Sequence, residues 1–368
     1  MFYSTQRVPS ICLLTVFAVC LAMGACASGE GSHDFKVSVA SIPPGQINLD
    51  GFQPSGMLDT ILLEGDTALP NGRESKPFLV ASFQIDFSGS TADANGSGPT
   101  VKLLQQLEVS KDTRAQCLLA DGGILIPEGR LNKHPTLWSM KDGTREDVTP
   151  KNYSDIFIPA GQANVGILGC DTASNIFISA AFNRKDIALW TGKTRLKKVD
   201  NRPDNSWYGS YWGDDGIRYL LVTTDYRLAA IDGEKAAVVE QPDMAWVQSA
   251  LLDANSKRQR EMRDIVVVDN LCCARFKDEI EFYSKSGGNY SIRLISTVEE
   301  TPYGLPRREA DAQRILDEPH FLVGEGAKLP PDVAALSKTY CMPLDPQRIA
   351  VVDTDYYRVI IVQAAPPK

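Results

Sequence analysis

This 368-residue sequence predicts an all-β protein built from repeated short-strand units, and three observations carry the prediction. Short apolar runs rich in Ile, Val, Phe and Trp are cut by Asn, Asp, Gly and Lys, the form taken by strands joined through tight turns. The form is clearest between Ser174 and Asp200. There Asn175–Phe182, Ile187–Trp190 and Arg195–Val199 read as an antiparallel meander with turns at Asn183–Asp186 and Gly192-Lys193. The same meander recurs before and after it, with tight turns at Asp142, Gly192, Asp232 and Gly287, about 40 to 55 residues apart.

In chain order, Val37–Ile42 and Met57–Leu63 alternate with Pro and Gly turns, and Phe78–Phe87 is a long strand followed by a Ser/Gly/Asn-rich loop over 88–99. One copy of the unit spans Cys117–Ile126, Thr136–Met140, the turn Lys141-Asp142-Gly143-Thr144 and Glu146–Val148. After the Ser174–Asp200 copy comes Ile217–Thr223, Arg227–Ile231, the turn Asp232–Lys235 and Ala236–Val239. A fourth copy spans Asp264–Ala274, Glu279–Tyr283, the turn Lys285–Gly288 and Tyr290–Ile295, and Arg348–Val352 with Arg358–Val362 closes the series. Four-strand units at this period resemble blades of a β-propeller, and with the N-terminal strands five to seven blades are expected. A β-sandwich is the alternative, since short strands at regular spacing suit both. Three stretches break the pattern as helical insertions, one near 243–263 and two within 306–338. Asp243–Arg263 places Met244, Val247, Leu251 and Leu252 on one face and ends in Lys257-Arg258-Gln259-Arg260, which suits a helix C-terminus. Arg308–Asp317 and Pro331–Ser337 read as two shorter helices.

The N-terminus points to export. Arg7 precedes an apolar run, Ile11 to Ala22, and then the small residues Gly24-Ala25-Cys26-Ala27-Ser28, the make-up of a signal peptide over 1–25. With Met23-Gly24-Ala25-Cys26 the chain resembles bacterial lipoproteins, matching the lipobox at both small positions and the cysteine, with Met23 where Leu is usual. The resemblance implies lipidation of Cys26, membrane attachment through several acyl chains, and outer-membrane sorting to the periplasmic face, since Ala27 rather than Asp follows the cysteine. Ordinary cleavage would instead release a periplasmic or secreted protein. Residues 26–34 form a polar tether, and 35–368 a single domain.

Removing residues 1–25, whose one charged side chain is Arg7, leaves 37 basic and 46 acidic residues. With no basic block to offset them, nucleic acid is excluded as a partner. Cys117, Cys170, Cys272, Cys273 and Cys341 remain beyond the signal region, enough for two disulfides in an exported chain. Adjacent Cys272 and Cys273 sit in a strand-like run and point to opposite faces. The cysteine spacings and the scattered His33, His134 and His320 match no zinc site, and no cofactor motif is present.

Three constellations carry candidate chemistry. Trp207, Tyr208, Tyr211 and Trp212 stand beside Asp214 and Asp215 within nine residues, a combination suited to glycan binding. The same stretch has the length of one strand, with rings on both faces, which favours a core role. Asp214, Asp215, Asp353 and Asp355 are carboxylates of the type a hydrolase or calcium site uses, although this chain commonly places Asp in turns. The basic run Lys257–Arg263 suits anionic headgroups or a solvated helix end. No catalytic set stands out. The sequence therefore favours a non-catalytic binding or scaffold lipoprotein for an envelope protein, which includes toxin sequestration of the immunity type. Glycan binding and carboxylate-dependent hydrolysis are the alternatives.

Overall fold

The structure is a computed structural model and describes residues 34–42, 47–53, 55–67, 78–88, 98–109, 117–127, 135–147, 166–171, 176–180, 187–190, 197–198, 207–213, 216–223, 225–232, 237–240, 244–255, 262–295, 331–336 and 339–365. The signal, lipobox and most of the tether lie outside these residues, as do the helix expected over Arg308–Asp317 and the carboxylates Asp214 and Asp215.

The described chain is all-β but for one helix. It opens with β1 (Phe35–Ser41). Five four-strand meanders follow: β2 (Ile47–Gln53), β3 (Thr60–Thr67), β4 (Phe78–Asp86) and β5 (Thr100–Val109); then β6 (Cys117–Leu118), β7 (Gly123–Pro127), β8 (Pro135–Ser139) and β9 (Arg145–Asp147). The third is β10 (Gly166–Asp171), β11 (Ile176–Ala180), β12 (Ile187–Trp190) and β13 (Lys197–Lys198). The fourth is β14 (Trp207–Gly213), β15 (Gly216–Val222), β16 (Leu228–Asp232) and β17 (Ala237–Glu240), followed by helix α1 (Ala245–Asn255). The fifth is β18 (Asp264–Val268), β19 (Leu271–Arg275), β20 (Glu279–Ser284) and β21 (Asn289–Ile295). Then come β22 (Val333–Ala335), β23 (Thr339–Asp345), β24 (Arg348–Asp353) and β25 (Arg358–Ala364). Each meander pairs antiparallel in sequence order. The fourth and fifth merge into one nine-stranded sheet because β14 lies parallel to β18 and β22 parallel to β21.

The last sheet is assembled from both ends of the described chain. Strand β1 pairs along its length with β25, from Phe35↔Ala364 to Ser41↔Arg358, in the order β1-β25-β24-β23. Nothing local specifies this pairing. Loop-closure entropy grows only with the logarithm of chain length, so seven paired residues plus apolar burial suffice to hold it.

The core is divided. One cluster joins the last sheet to the β2–β5 meander through Ala40, Ile61, Leu63, Phe83, Val352 and Ile361. A second lies between β2–β5 and β6–β9, with Leu62, Val80, Ile124 and Trp138. A third joins β14–β17 to β18–β21 and α1 through Leu220, Val222, Val247, Leu251 and Cys272. A fourth joins β18–β21 to the last sheet through Val266, Cys273, Phe282, Val351 and Ile360. Neighbouring residues such as Leu62 and Leu63, or Ile360 and Ile361, enter different clusters because successive side chains leave a strand on opposite faces. A strand covered on both faces is apolar at every position, so these runs do not alternate.

Several strands differ from expectation. Cys117–Ile126 and Asp264–Ala274 are each two strands. The first breaks at Asp121-Gly122, where Gly122 has φ 83° and the Asp121 carboxylate accepts the Gly123 N–H at 2.9 Å. The second breaks at Asp269-Asn270. Continuous apolarity on either side hid both turns. Pro331–Ser337 is not helical, since Val333–Ala335 pairs with the edge of β21, and a strand partner outweighs weak local preference. Strand β5 was not anticipated because an outer strand with exposed Lys, Gln and Glu does not look like one. In β2 and β23 the apolar rhythm is interrupted by bulges at Leu49/Gly51 and Pro343/Asp345. Helix α1 is described over Ala245–Asn255, within the helix expected over Asp243–Arg263, and Lys257–Arg260 lie outside the described residues. It buries Val247 and Leu251 and leaves Leu252 exposed.

Cys273 is disulfide-bonded to Cys341, tying β19 to β23, and Cys117 is also disulfide-bonded. Cys272 points the other way, into the cluster beneath α1, as a free buried thiol whose pKa burial raises.

Candidate functional site

The aromatic stretch forms β14 over Trp207–Gly213, the strand its length and flanking turns predict. It occupies the middle of the nine-stranded sheet, antiparallel to β15 from Trp207↔Val222 to Gly213↔Gly216 and parallel to β18 at Gly209↔Ile265 through Tyr211↔Val267. The parallel contact explains Gly209: a Cβ there would lie 2.3 Å from Ile265 Cγ2 and 2.7 Å from its carbonyl oxygen, so any side chain would push β14 off β18. Trp212 is buried, 7% exposed, in the cluster shared with the last sheet, whereas Tyr211 packs half-buried against the cluster beneath α1. The two rings thus serve two different cores. Trp207 and Tyr208 take their places in the strand by backbone register.

Of the four candidate carboxylates, Asp353 and Asp355 are described, and both are buried. Asp353 ends β24 opposite Arg358 at the start of β25. Both are fully buried, with Arg358 Nε donating to Asp353 Oδ2 at 3.2 Å. The remaining bonds of this pair reach β22 and the intervening turn. Asp353 accepts the Ala335 N–H at 3.4 Å and the Tyr356 N–H at 3.3 Å, and Arg358 Nη2 donates to the Val333 carbonyl. Arg275 adds a third contact on the same stretch, donating through Nη2 to the Leu336 carbonyl at 3.1 Å with its guanidinium 5.3 Å from the centre of the Tyr340 ring. Strand β22 has β21 on one edge, and charged side chains do the hydrogen-bonding work of a neighbouring strand for its Val333 carbonyl and Ala335 N–H.

Burial pushes the Asp353 carboxyl up to about 6, against the Arg358 guanidinium and the two backbone donors, which pull it down. The protein packed around Asp264 pushes that carboxyl up to about 7, against the Ile265 N–H and Arg275. Exposed turn carboxylates behave in the opposite way. Asp142 accepts the N–H of Thr144 at 3.0 Å and its hydroxyl at 2.8 Å, and these bonds hold it below the usual range.

The structure therefore spreads the sequence-derived candidates rather than gathering them. Trp212 and Tyr211 enter cores and Asp353 enters a clip. Lys257–Arg260 of the basic run lie outside the described residues, and the described last turn of α1 carries no basic residue. Arg358 and Arg275 were not singled out from sequence. A signal for the first existed, since Asp353 and Arg358 bracket a four-residue turn between two apolar runs and so face each other across the hairpin. Among the described residues no group of three or more His, Cys, Asp or Glu is placed to hold a metal ion, and no helix is long and apolar enough to cross a membrane. No family model matches the chain, and no curated protein matches it.

Proposed function

We propose that the meanders are the blades of a six-bladed β-propeller and that the protein is a non-catalytic binding or scaffold lipoprotein of the bacterial envelope. It is anchored through Cys26 at the periplasmic face of the outer membrane and engages a partner protein, with toxin sequestration as the narrower form of that role. Three observations support the propeller. Separate cores lie between consecutive meanders, where a sandwich has one shared core. The first strands of neighbouring meanders run parallel, at β14/β18 and at the Ser55↔Leu118 bridge. The β1–β25 pairing also brings the last meander against the first.

The observation that carries the functional reading is that described members of both candidate constellations serve the fold: Trp212 is a core residue and Asp353 is paired with Arg358. Recognition is then assigned to the outer surface of the meanders. Affinity purification of the tagged protein from detergent-solubilised envelopes should retain a protein partner, while cell-wall fragments should leave tryptophan fluorescence unchanged. Quenching by wall fragments with no retained protein would give the role to glycan binding. Replacing Cys26 with Ser should abolish palmitate labelling and release the protein from membranes. A wild-type protein that takes no label and fractionates as soluble would instead be a secreted one.

A further inference from the structure

A tether holds toward the bilayer whichever end of the fold it enters, and backbone hydrogen bonds identify that end. The Asp269 N–H, between β18 and β19, donates to Pro346 O, between β23 and β24, at 3.0 Å. The Asp59 N–H, between β2 and β3, donates to Leu344 O at 3.2 Å, and the Gly56 N–H donates to Leu118 O at 2.9 Å, beside the β6–β7 turn. The Lys285 N–H of the β20–β21 turn donates to Asn270 O at 3.0 Å. These turns share one end with the longer β4–β5 connection, since Asp86 pairs with Thr100 beside the β2–β3 turn, and β1 starts there: the Ala365 N–H donates to Asp34 O at 2.7 Å, and a Cβ on Gly288 would lie 2.7 Å from Asp34 Cβ.

The opposite end carries α1 and β22. The Ile42 N–H, just past β1, donates to Tyr357 O in the β24–β25 turn at 2.8 Å, and the Asp353–Arg358 pair holding β22 flanks the same turn. Helix α1 sits on the β15–β16 turn, with Gln248 Nε2 donating to Asp225 O at 3.3 Å. The parallel register of β14 and β18 puts that turn at the same end as the β19–β20 turn.

We propose that the end at which β1 starts is the membrane-proximal face, apposed to the lipid headgroup layer, and that the end bearing α1 and β22 points away from the bilayer. This rests on the anchoring at Cys26 proposed above. Eight Cα steps from Cys26 to Asp34 reach at most ~28 Å. Strands of 5 to 7 residues, as in β18 and β14, set the far end back by a further ~20 Å. Among the described residues the near face has Asp34, Asp59, Asp121, Asp142 and Asp269 against Lys141, Lys285 and Arg348, so these charges do not draw it to anionic headgroups and the tether holds it. Leu58, 60% exposed in the β2–β3 turn, adds an apolar side chain to this face.

The test places an azide-bearing amino acid at Lys285 on the near end or at Lys277 in the β19–β20 turn, both exposed and both in the fifth meander. Each is coupled to a donor dye in the full-length mature protein, in phosphatidylethanolamine–phosphatidylglycerol vesicles carrying a headgroup acceptor. Energy transfer from position 285 should exceed that from position 277 by roughly two-fold or more, given the ~20 Å offset of the ends. Equal or reversed transfer overturns the proposal. If mass measurement finds Cys26 unlipidated, the anchoring reading fails separately. That protein is then coupled through the Cys26 thiol to a maleimide headgroup, and the same ordering supports the orientation while equality overturns it.

Discussion

Strand β24 has an arginine–carboxylate contact at each end, and the two differ in depth. At its start Arg348 reaches Asp59 of the β2–β3 turn at 2.6 Å and Asp345 of its own turn, with its guanidinium 3.5 Å from the centre of the Phe87 ring. The Arg348 side chain is 20% exposed and that of Asp59 32%. At its end Asp353 and Arg358 have no exposed surface at all. The first contact clasps the last sheet to the β2–β5 meander, and the second pins β22. The same chemistry has a different worth in each place. A half-exposed pair that loses one partner is rehydrated and screened, whereas a buried pair that loses one leaves an uncompensated charge.

The largest effect should come from Arg358→Met, which strands Asp353 and frees the Val333 carbonyl. A loss of about 3–5 kcal/mol is expected in urea denaturation, with partial recovery when Asp353→Asn is added. A loss near that of Arg348→Ala would break the comparison. Next is the Cys273–Cys341 bond, which joins the fifth meander to the last sheet across 68 residues. Removing it by Cys341→Ser should cost up to about 4 kcal/mol on loop-closure grounds. If Arg358→Met then loses as much stability without the disulfide as with it, the clip and the staple act independently.

The pH dependence sharpens the contrast further. The Asp353 carboxyl titrates near 3.8 in the unfolded chain and about 6 in the folded one, so between those values the folded state binds more protons. Its contribution is therefore fully present below 3.8 and is lost as pH rises through 6, with a slope of up to about 1.4 kcal/mol per pH unit. Asp353→Asn should remove that component from denaturation midpoints measured across the window. An unchanged slope would show that Asp353 keeps its charge throughout. The smallest effect belongs to Arg348→Ala, about 1 kcal/mol, part of it lost packing on Phe87, and reduced by salt. A salt-independent loss would place this clasp with the buried one.

Local chemistry made much of the strand pattern legible. Ile187–Trp190 is β12 as expected, and the Lys285–Gly288 turn falls where its Gly pair places it, with Gly287 at φ 97°. The length of β14 followed from turn signals on either side, and the opposed faces of Cys272 and Cys273 followed from the two-residue period of a strand. Charge and spacing identified Trp212 and Asp353 as residues worth following, but not what surrounds them.

Sequence alone determined where most strands and turns lie, though not β2, β5, β10, β22 or β23, because backbone preference and turn geometry are settled within a few residues. Tertiary structure decided the rest. Strand β22 exists because the edge of β21 and the side chains of Asp353 and Arg358 supply partners its own residues do not encode. The last sheet exists because β1 meets β25 after more than three hundred residues of intervening chain. Whether Trp212 is a platform or a core ring, and whether Asp353 is a free acid or one half of a clip, depends on which elements pack against it, and those elements are contributed from elsewhere in the chain.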